Sequence, residues 1–411
     1  MIDQVVYLSM HTCPLTLPGT GNAGGMNVYI NELAETMAER GVDVTVFTRR
    51  ADEVTPEVTA VRPGYQVVHI PAGPAAPLSM AEMPNHVAEF TDGTLKWIDA
   101  EGLRPDVLHS HYWLSGWSGV LLKEALGAPL ANSFHTLGKV KDLARRDDEP
   151  ASSPTRTLTE EEVIARSDCV IASTPHEFDD LLEHYGASPE RLCTSPPGLD
   201  HDRFRPGDRS EARRWLGLQP QVPLVLFIGR IQALKAVDVA IDALDQIGPI
   251  DGFLPELLVV GGPSGSHGND ELAKLEKQVS DLGLGSRVHF VPTQPHAALP
   301  RFYQAADALI VPSRSETFGL VAAEAQACGL PVVAAKVGGL PYAVDDGRSG
   351  TLVEGHDPAI YADALREILD SPTRAEAMRT ASVEFSQRFS WPATADRLLE
   401  LYRGIQPHDA G

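Results

Sequence analysis

Short runs of Val, Ile and Leu recur along the chain, separated by longer stretches in which apolar and polar residues alternate at helical spacing. A short continuous apolar run reads as a strand buried on both faces, and the amphipathic stretch after it as the crossover helix that covers one face. The pattern predicts an α/β protein with parallel sheets. In the first half it predicts strands over Val5–Met10, Val42–Phe47, Val67–Ile70, Val107–His109, Pro129–Phe134 and Val170–Ser173, and a helix over Gly25–Arg40 that opens after glycines and stops before Gly41. The rhythm restarts after Ser195-Pro-Pro-Gly-Leu-Asp, a Pro/Gly-rich stretch of the kind that separates domains. Strands over Leu224–Ile228, Leu257–Val260, Val288–Val291, Ala308–Val311 and Pro331–Ala334 follow. Two domains are expected, residues 1–198 and 199–392.

A chain of 411 residues exceeds the size at which one hydrophobic core stops growing, which fits two domains. The formal net charge of -22 argues against a nucleic-acid partner and against docking on anionic lipid, because both need a basic face. No stretch approaches the roughly eighteen apolar residues of a membrane span. The start, Met1-Ile-Asp-Gln-Val-Val-Tyr-Leu, carries an acid where a secretory signal carries a base, so a cytoplasmic protein is expected. Cys13, Cys169, Cys193 and Cys328 lack metal-type spacing and are expected as free thiols.

Ligands of open parallel sheets bind beyond the carboxyl ends of the strands, which directs attention to five segments. Gly19-Thr-Gly-Asn-Ala-Gly-Gly-Met-Asn-Val-Tyr is a glycine loop entering a helix, where backbone amides can approach a diphosphate, although a plain turn explains many such loops. Phe227-Ile-Gly-Arg-Ile-Gln-Ala-Leu-Lys-Ala brings Arg230 and Lys235 after a strand, a local pair of cations suited to a leaving diphosphate. An isolated pair of that kind is more often a solvated surface feature. Pro312-Ser-Arg-Ser-Glu-Thr-Phe-Gly-Leu-Val-Ala-Ala-Glu sets Glu316 before a helix and Glu324 inside it, spaced to read two hydroxyl-bearing parts of one ligand. Alone, Glu324 would more often be a solvated helix residue. His109-Ser-His-Tyr and Phe134-His-Thr place His111, Tyr112, His135 and Thr136 on the cleft side. No Gly-x-Ser-x-Gly elbow supports a nucleophilic triad and no ligand spacing supports zinc. Asp200-His201-Asp202 reads as turn and cap chemistry in a linker, not as a metal string.

Together these segments resemble the family 4 glycosyltransferases of the GT-B fold, in the same order from Tyr7 to Tyr402. Met10-His-Thr, Pro18-Gly-Thr-Gly, Gly24-Gly-Met-Asn-Val-Tyr, His109-Ser-His-Tyr-Trp-Leu-Ser-Gly and Val337-Gly-Gly-Leu-Pro resemble the branch that serves mycothiol synthesis by joining N-acetylglucosamine to an inositol phosphate. The resemblance implies two Rossmann-like domains across a cleft, an N-terminal one for the acceptor and a C-terminal one for a nucleotide sugar, with the last segment, 393–411, a helix returning to the first. It implies retaining transfer without metal or cofactor, and Gly24, Gly25, Arg230, Lys235 and the amides of Phe318, Gly319 and Leu320 on the diphosphate. Glu316 is implied on the transferred sugar, Glu324 on the ribose, Gln294 near the base, and His135 beside the reacting carbon. His135, Glu316, Arg230 and Lys235 are thus the catalytic candidates. Asn27, Met80, Tyr112, His135, Thr136 and Arg156 are implied on the acceptor, and relatives are often homodimers.

Three positions depart from that branch. Met80 stands where a lysine holds the acceptor phosphate, a loss expected to cost about 1–3 kcal/mol. Gln294 replaces an arginine that packs on uracil, and Lys235-Ala236 replaces the usual Lys-Gly, stiffening the loop. Met80 and Gln294 favour a GDP-linked sugar moved onto the sulfur of a thiol such as ergothioneine, as in lincosamide-type antibiotic biosynthesis. Arg156 would hold the acceptor carboxylate, and Met80 would spare its trimethylammonium group a repelling charge. The alternative is a UDP-N-acetylglucosamine:inositol-phosphate transferase. A sugar-nucleotide epimerase of the same fold is the reading from another class.

Overall fold

A computed structural model describes residues 2–146, 149–265 and 268–405. The first half builds one sheet from β1 (Gln4–Leu8), β2 (Asp43–Arg49), β3 (Val58–Arg62), β4 (Tyr65–Ile70), β5 (Val107–His111), β6 (Leu130–Ser133), β7 (Cys169–Ala172) and β8 (Leu192–Thr194), in the order β3-β4-β2-β1-β5-β6-β7-β8. Only β3 runs antiparallel to its neighbour. The second half builds an all-parallel sheet from β9 (Leu224–Ile228), β10 (Glu256–Val260), β11 (Val288–Val291), β12 (Ala308–Val311), β13 (Val332–Ala335) and β14 (Gly350–Val353), in the order β11-β10-β9-β12-β13-β14. Strand order reverses between β1 and β5 in one sheet and between β9 and β12 in the other. Those two crevices are the ligand positions of the doubly wound fold.

Every strand expected from the pattern is present, with ends moved by a residue or two. β3, β8 and β14 escaped the pattern for physical reasons. β3 is a half-exposed edge with a register shift between Ala60 and Arg62, β8 is very short, and β14 opens on a glycine. The helix expected from Gly25 runs over Gly25–Glu39. Val5, Val6, Tyr7 and Leu8 of β1 are buried on both faces, which is why their run lacks alternation. The cysteines differ from the expected four free thiols: Cys169 of β7 and Cys193 of β8 are joined as a disulfide, leaving Cys13 and Cys328 as thiols. Adjacent parallel strands bring the two sulfurs together across a crossover, which spacing along the chain does not reveal.

The last helix starts at Trp391 rather than Ala393, because Ser390 caps it through the Ala393 amide and Pro392 occupies its first turn. It packs on helix Gly25–Glu39, so Trp391, Leu398, Leu399 and Tyr402 share one core with Tyr29, Ile30 and Leu33 of the first half. Residues 406–411 of the expected helix lie outside the described residues. The outgoing and returning chains touch at Gly198, where a Cβ would come within 2.2 Å of the Trp391 nitrogen, so only glycine fits the crossing. Among the described residues no helix is long and apolar enough to cross a membrane.

The halves are closed on each other. Ser264 Oγ donates to the Gly21 carbonyl at 2.6 Å, and Thr293 Oγ1 to the Gly19 carbonyl at 3.0 Å. Thr317 Oγ1 donates to the His135 carbonyl at 2.6 Å, and Arg203 pairs with Glu32 at 2.6 Å.

Candidate active site

The glycine loop and the basic strand end face one another across the cleft. A side chain at Gly24 would stand 3.4 Å from Arg230 Nε, and one at Gly25 would stand 3.2 Å from Leu320 Cδ1. Asn27 holds this loop in place: its amide nitrogen donates to Thr12 Oγ1 (2.9 Å) and the Cys13 carbonyl (2.6 Å), and its oxygen accepts from the Gly24 amide (2.9 Å). These bonds use both ends of the side chain, so Asn27 shapes the loop, and its oxygen keeps one lone pair. Arg230 follows β9 and has neither an ion pair nor a hydrogen bond from its guanidinium among the described residues; burial lowers its pKa, opposed by Glu316 and Tyr112. It is a desolvated cation waiting for an anion.

Lys235 and Glu316 pair with each other, and Ser313 Oγ donates to the same Glu316 oxygen at 3.0 Å. Ala236 sits in the left-handed region at φ 51°, so alanine strains this turn where glycine would not, instead of merely stiffening it. Glu324 is buried and doubly engaged, accepting from Tyr303 Oη (2.7 Å) and bonded to His296 Nε2 (2.7 Å). Each oxygen retains a lone pair for a ligand hydroxyl. Phe318 packs on Phe389 in the core, which leaves only its backbone for a phosphate, and Gly319 turns at φ 99° into helix Leu320–Ala327. Gln294 is half-buried and donates to the Pro292 carbonyl at 2.9 Å.

Across the cleft, His135 leaves β6 at φ 59° and Tyr112 leaves β5 at φ 76°, left-handed turns that aim both side chains past the strand ends. His111 Nδ1 and His135 Nε2 share a hydrogen bond at 3.0 Å, while His111 Nε2 is buried without a partner among the described residues. An orphaned N–H is rarer in proteins than an orphaned acceptor, so the proton belongs on His111 Nδ1, and His135 then carries its own on Nδ1. Arg156 donates to Glu160 (2.8 Å), to the Thr136 carbonyl (3.0 Å) and to Thr136 Oγ1 (3.2 Å), and its guanidinium lies over the Tyr112 ring. Met80 is half-buried with its sulfur 3.8 Å from Asn22 Nδ2.

Several site residues carried no role in the sequence reading. The His11 ring lies tilted against Tyr112, His296 and Tyr303 orient Glu324, and the Gly338-Gly339 pair lies against the backbone of Glu316 and Thr317. Met10-His-Thr and Val337-Gly-Gly-Leu-Pro were visible as motifs, but only the fold says what they touch. Among the described residues no group of three or more His, Cys, Asp or Glu side chains is arranged to hold a metal ion.

Burial holds His11, His109 and His135 neutral, down to about 3, and His111 well below its usual value. A histidine whose folded pKa is depressed takes its proton only on unfolding, so its contribution is complete above the unfolded value and is lost progressively as pH falls from there to the folded value. Glu177, pushed up to about 7 by burial, acts with the opposite sign and offsets one of the four. Urea unfolding should therefore show stability dropping steeply between about pH 6 and 4, with a net uptake of several protons. A flat profile over that range would mean the cluster is hydrated.

Two α/β lobes with a phosphate-ready cation after one strand and a neutral histidine pair opposite define a sugar-transferring enzyme of the GT-B class. The profile described as "Glycosyl transferases group 1" matches residues 208–385, and that described as "Glycosyl transferase 4-like domain" matches residues 24–198. The chain belongs to the group 1 glycosyltransferases and is a hexosyltransferase-type enzyme. It is 47% identical over 410 residues to the D-inositol 3-phosphate glycosyltransferase of Actinosynnema mirum, covering 98% of this chain and 97% of that one. The protein of the same name from Thermomonospora curvata is 45% identical over 418 residues, covering 98% and 96%. Among solved structures, sucrose-phosphate synthase from Thermosynechococcus elongatus superposes with a TM-score of 0.91 at 32% identity, covering 98% of this chain and 99% of that one. Anabaena HepE in complex with UDP-glucose gives 0.77 at 20% identity over 98% and 99%, a likeness of fold. These relatives lend no support to the GDP-sugar and thiol reading and favour its alternative.

Proposed function

We propose that the enzyme transfers N-acetylglucosamine from its UDP-linked form to an inositol phosphate with retention at the anomeric carbon. The observation that carries this reading is full-length similarity at 45–47% identity to D-inositol 3-phosphate glycosyltransferases. The cleft chemistry supports it. Arg230, Lys235 and the amides after Thr317 receive the diphosphate, Glu316 the sugar and Glu324 the ribose. Arg156, Thr136 and Tyr112 receive the acceptor phosphate, which survives the loss of the lysine at Met80. The sugar C1–O bond breaks with its electron pair leaving on the β-phosphate oxygen. The acceptor hydroxyl oxygen bonds to C1 from the same face, and its proton passes to that phosphate oxygen. Arg230 and Lys235 stabilise the departing charge, and His135, neutral and protonated on Nδ1, orients the sugar. Neither metal nor cofactor is required.

The test is product formation by the purified enzyme with UDP-N-acetylglucosamine and inositol 3-phosphate, set beside GDP-sugars and ergothioneine. Transfer to the inositol phosphate is expected. Transfer to the thiol alone would overturn the reading and turn Met80 and Gln294 into specificity determinants.

A further inference from the structure

We propose that Lys141 is a specificity-determining residue whose ammonium, with Arg156, binds the phosphate of a phosphorylated acceptor. The proposal rests on the acceptor reading above and adds a cation that the first lobe supplies from a different wall than Met80.

Helix Gly138–Leu143 begins directly after His135 and Thr136. Its first residue marks the face it turns to the site: a Cβ at Gly138 would stand 3.2 Å from Arg156 Nε and 3.0 Å from Glu160 Oε2. Lys141, three positions on, shares that face. The two lysines of this helix have different fates. Lys139 donates to the His184 carbonyl at 2.8 Å, pairs with Glu161 at 2.7 Å and lies over the Tyr185 ring. Lys141 is half-buried, and among the described residues its ammonium has no acceptor and no ion pair.

The neighbouring carboxylates have other engagements. Asp142 accepts from the Ser152 amide and hydroxyl, Glu149 from the Arg146 amide, and Glu160 from Arg156. Burial lowers the Lys141 pKa first and the like charge of Arg156 next; Glu149 and Asp142 oppose them, and Arg230 adds the smallest lowering. Lys141 and Arg156 therefore repel one another in a protein of net charge -22, with Arg230 acting more weakly, and of the three only Arg156 has an ion pair among the described residues. Such an arrangement is unfavourable when empty and becomes favourable when anions fill it. Arg230, on the opposite lobe, faces the diphosphate of the donor. Lys141 and Arg156, on the same lobe as His135 and Thr136, are left for a second anion on the acceptor.

The experiment compares wild type with Lys141→Gln and Lys141→Arg. With saturating UDP-N-acetylglucosamine, Lys141→Gln should raise the KM for inositol 3-phosphate by about tenfold or more, the scale of a charge-assisted hydrogen bond, with kcat and the donor KM little changed. Lys141→Arg should restore most of it. An unchanged acceptor KM, or a rise in the donor KM instead, would overturn the assignment. Inorganic phosphate supplies a second readout that needs no turnover. Added to the UDP complex, it should raise the Tm of wild type and not that of Lys141→Gln, and equal shifts would again overturn it. A phosphate response lost in Lys141→Gln, without any turnover of inositol 3-phosphate, would sink the acceptor reading and leave the anion site standing.

Discussion

Replacing Arg230 with methionine should cut transfer by about a hundredfold or more while leaving the fold at least as stable as before. The guanidinium is desolvated in the closed cleft, and no ion pair or hydrogen bond among the described residues repays that desolvation. Removing the charge relieves the cost, and the methionine stem keeps the apolar packing. In the proposed reaction, activity needs the charge where negative charge develops as the diphosphate departs. Loss of one preorganised group of this kind lowers turnover by about a hundred- to a thousandfold. Measuring kcat/KM beside ligand-free thermal unfolding separates the two effects. A variant that loses stability and keeps its activity would show that Arg230 is a structural residue.

Gly339→Ala should be nearly as damaging by a different route. A Cβ there would lie 2.1 Å from the Thr317 carbonyl oxygen and 2.7 Å from Phe318 Cα, and the Gly339 amide donates to the Glu316 carbonyl at 2.8 Å. Gly338 is equally confined, with φ 52° and a Cβ position 2.0 Å from the Glu316 carbonyl oxygen. One methyl group must therefore displace the segment that sets Glu316 against Lys235 and Thr317 against the His135 carbonyl. Overpacking of this sort costs about 1–3 kcal/mol in stability. An ångström of misplacement at reacting groups costs on the order of a hundredfold in rate. Gly285→Ala, with open space around its Cβ position, is the control. Equal activity and equal UDP affinity in the two variants would refute the buttress.

Much of the fold was legible because strands buried on both faces leave continuous apolar runs, and β9 and β12 follow theirs residue for residue. The edge strand β3 was hidden by its exposure, and the disulfide by a crossover that no spacing rule encodes. Within the candidate site, the cleft position of residues with distinctive chemistry at strand ends was legible: Arg230, Lys235, Glu316 and His135. Residues acting through partners were not. Glu324 alone resembles a surface glutamate, and its burial depends on His296 and Tyr303, which come from other segments. Asn27 lies in the expected ligand loop, and its bonds to that loop are visible only in the fold. Lys141 was invisible because a lysine two residues from another lysine looks solvated until one of them is seen to be engaged.

The helix Trp391–Gly404 places the final turns of the chain inside the core of the first lobe, and the Tyr402 hydroxyl lies 2.6 Å from His109 Nδ1 behind the histidine pair. A ribosome making this protein therefore completes the N-terminal half of the sequence long before that half can complete its core. Until the last helix emerges, Tyr29, Ile30 and Leu33 expose apolar surface and His109 lacks its tyrosine. The second lobe, synthesised between the two parts, can close on itself first. Order of synthesis and order of folding are thus reversed for the lobe that carries His135, and a chain stopped before Trp391 would contain every catalytic candidate without a finished site.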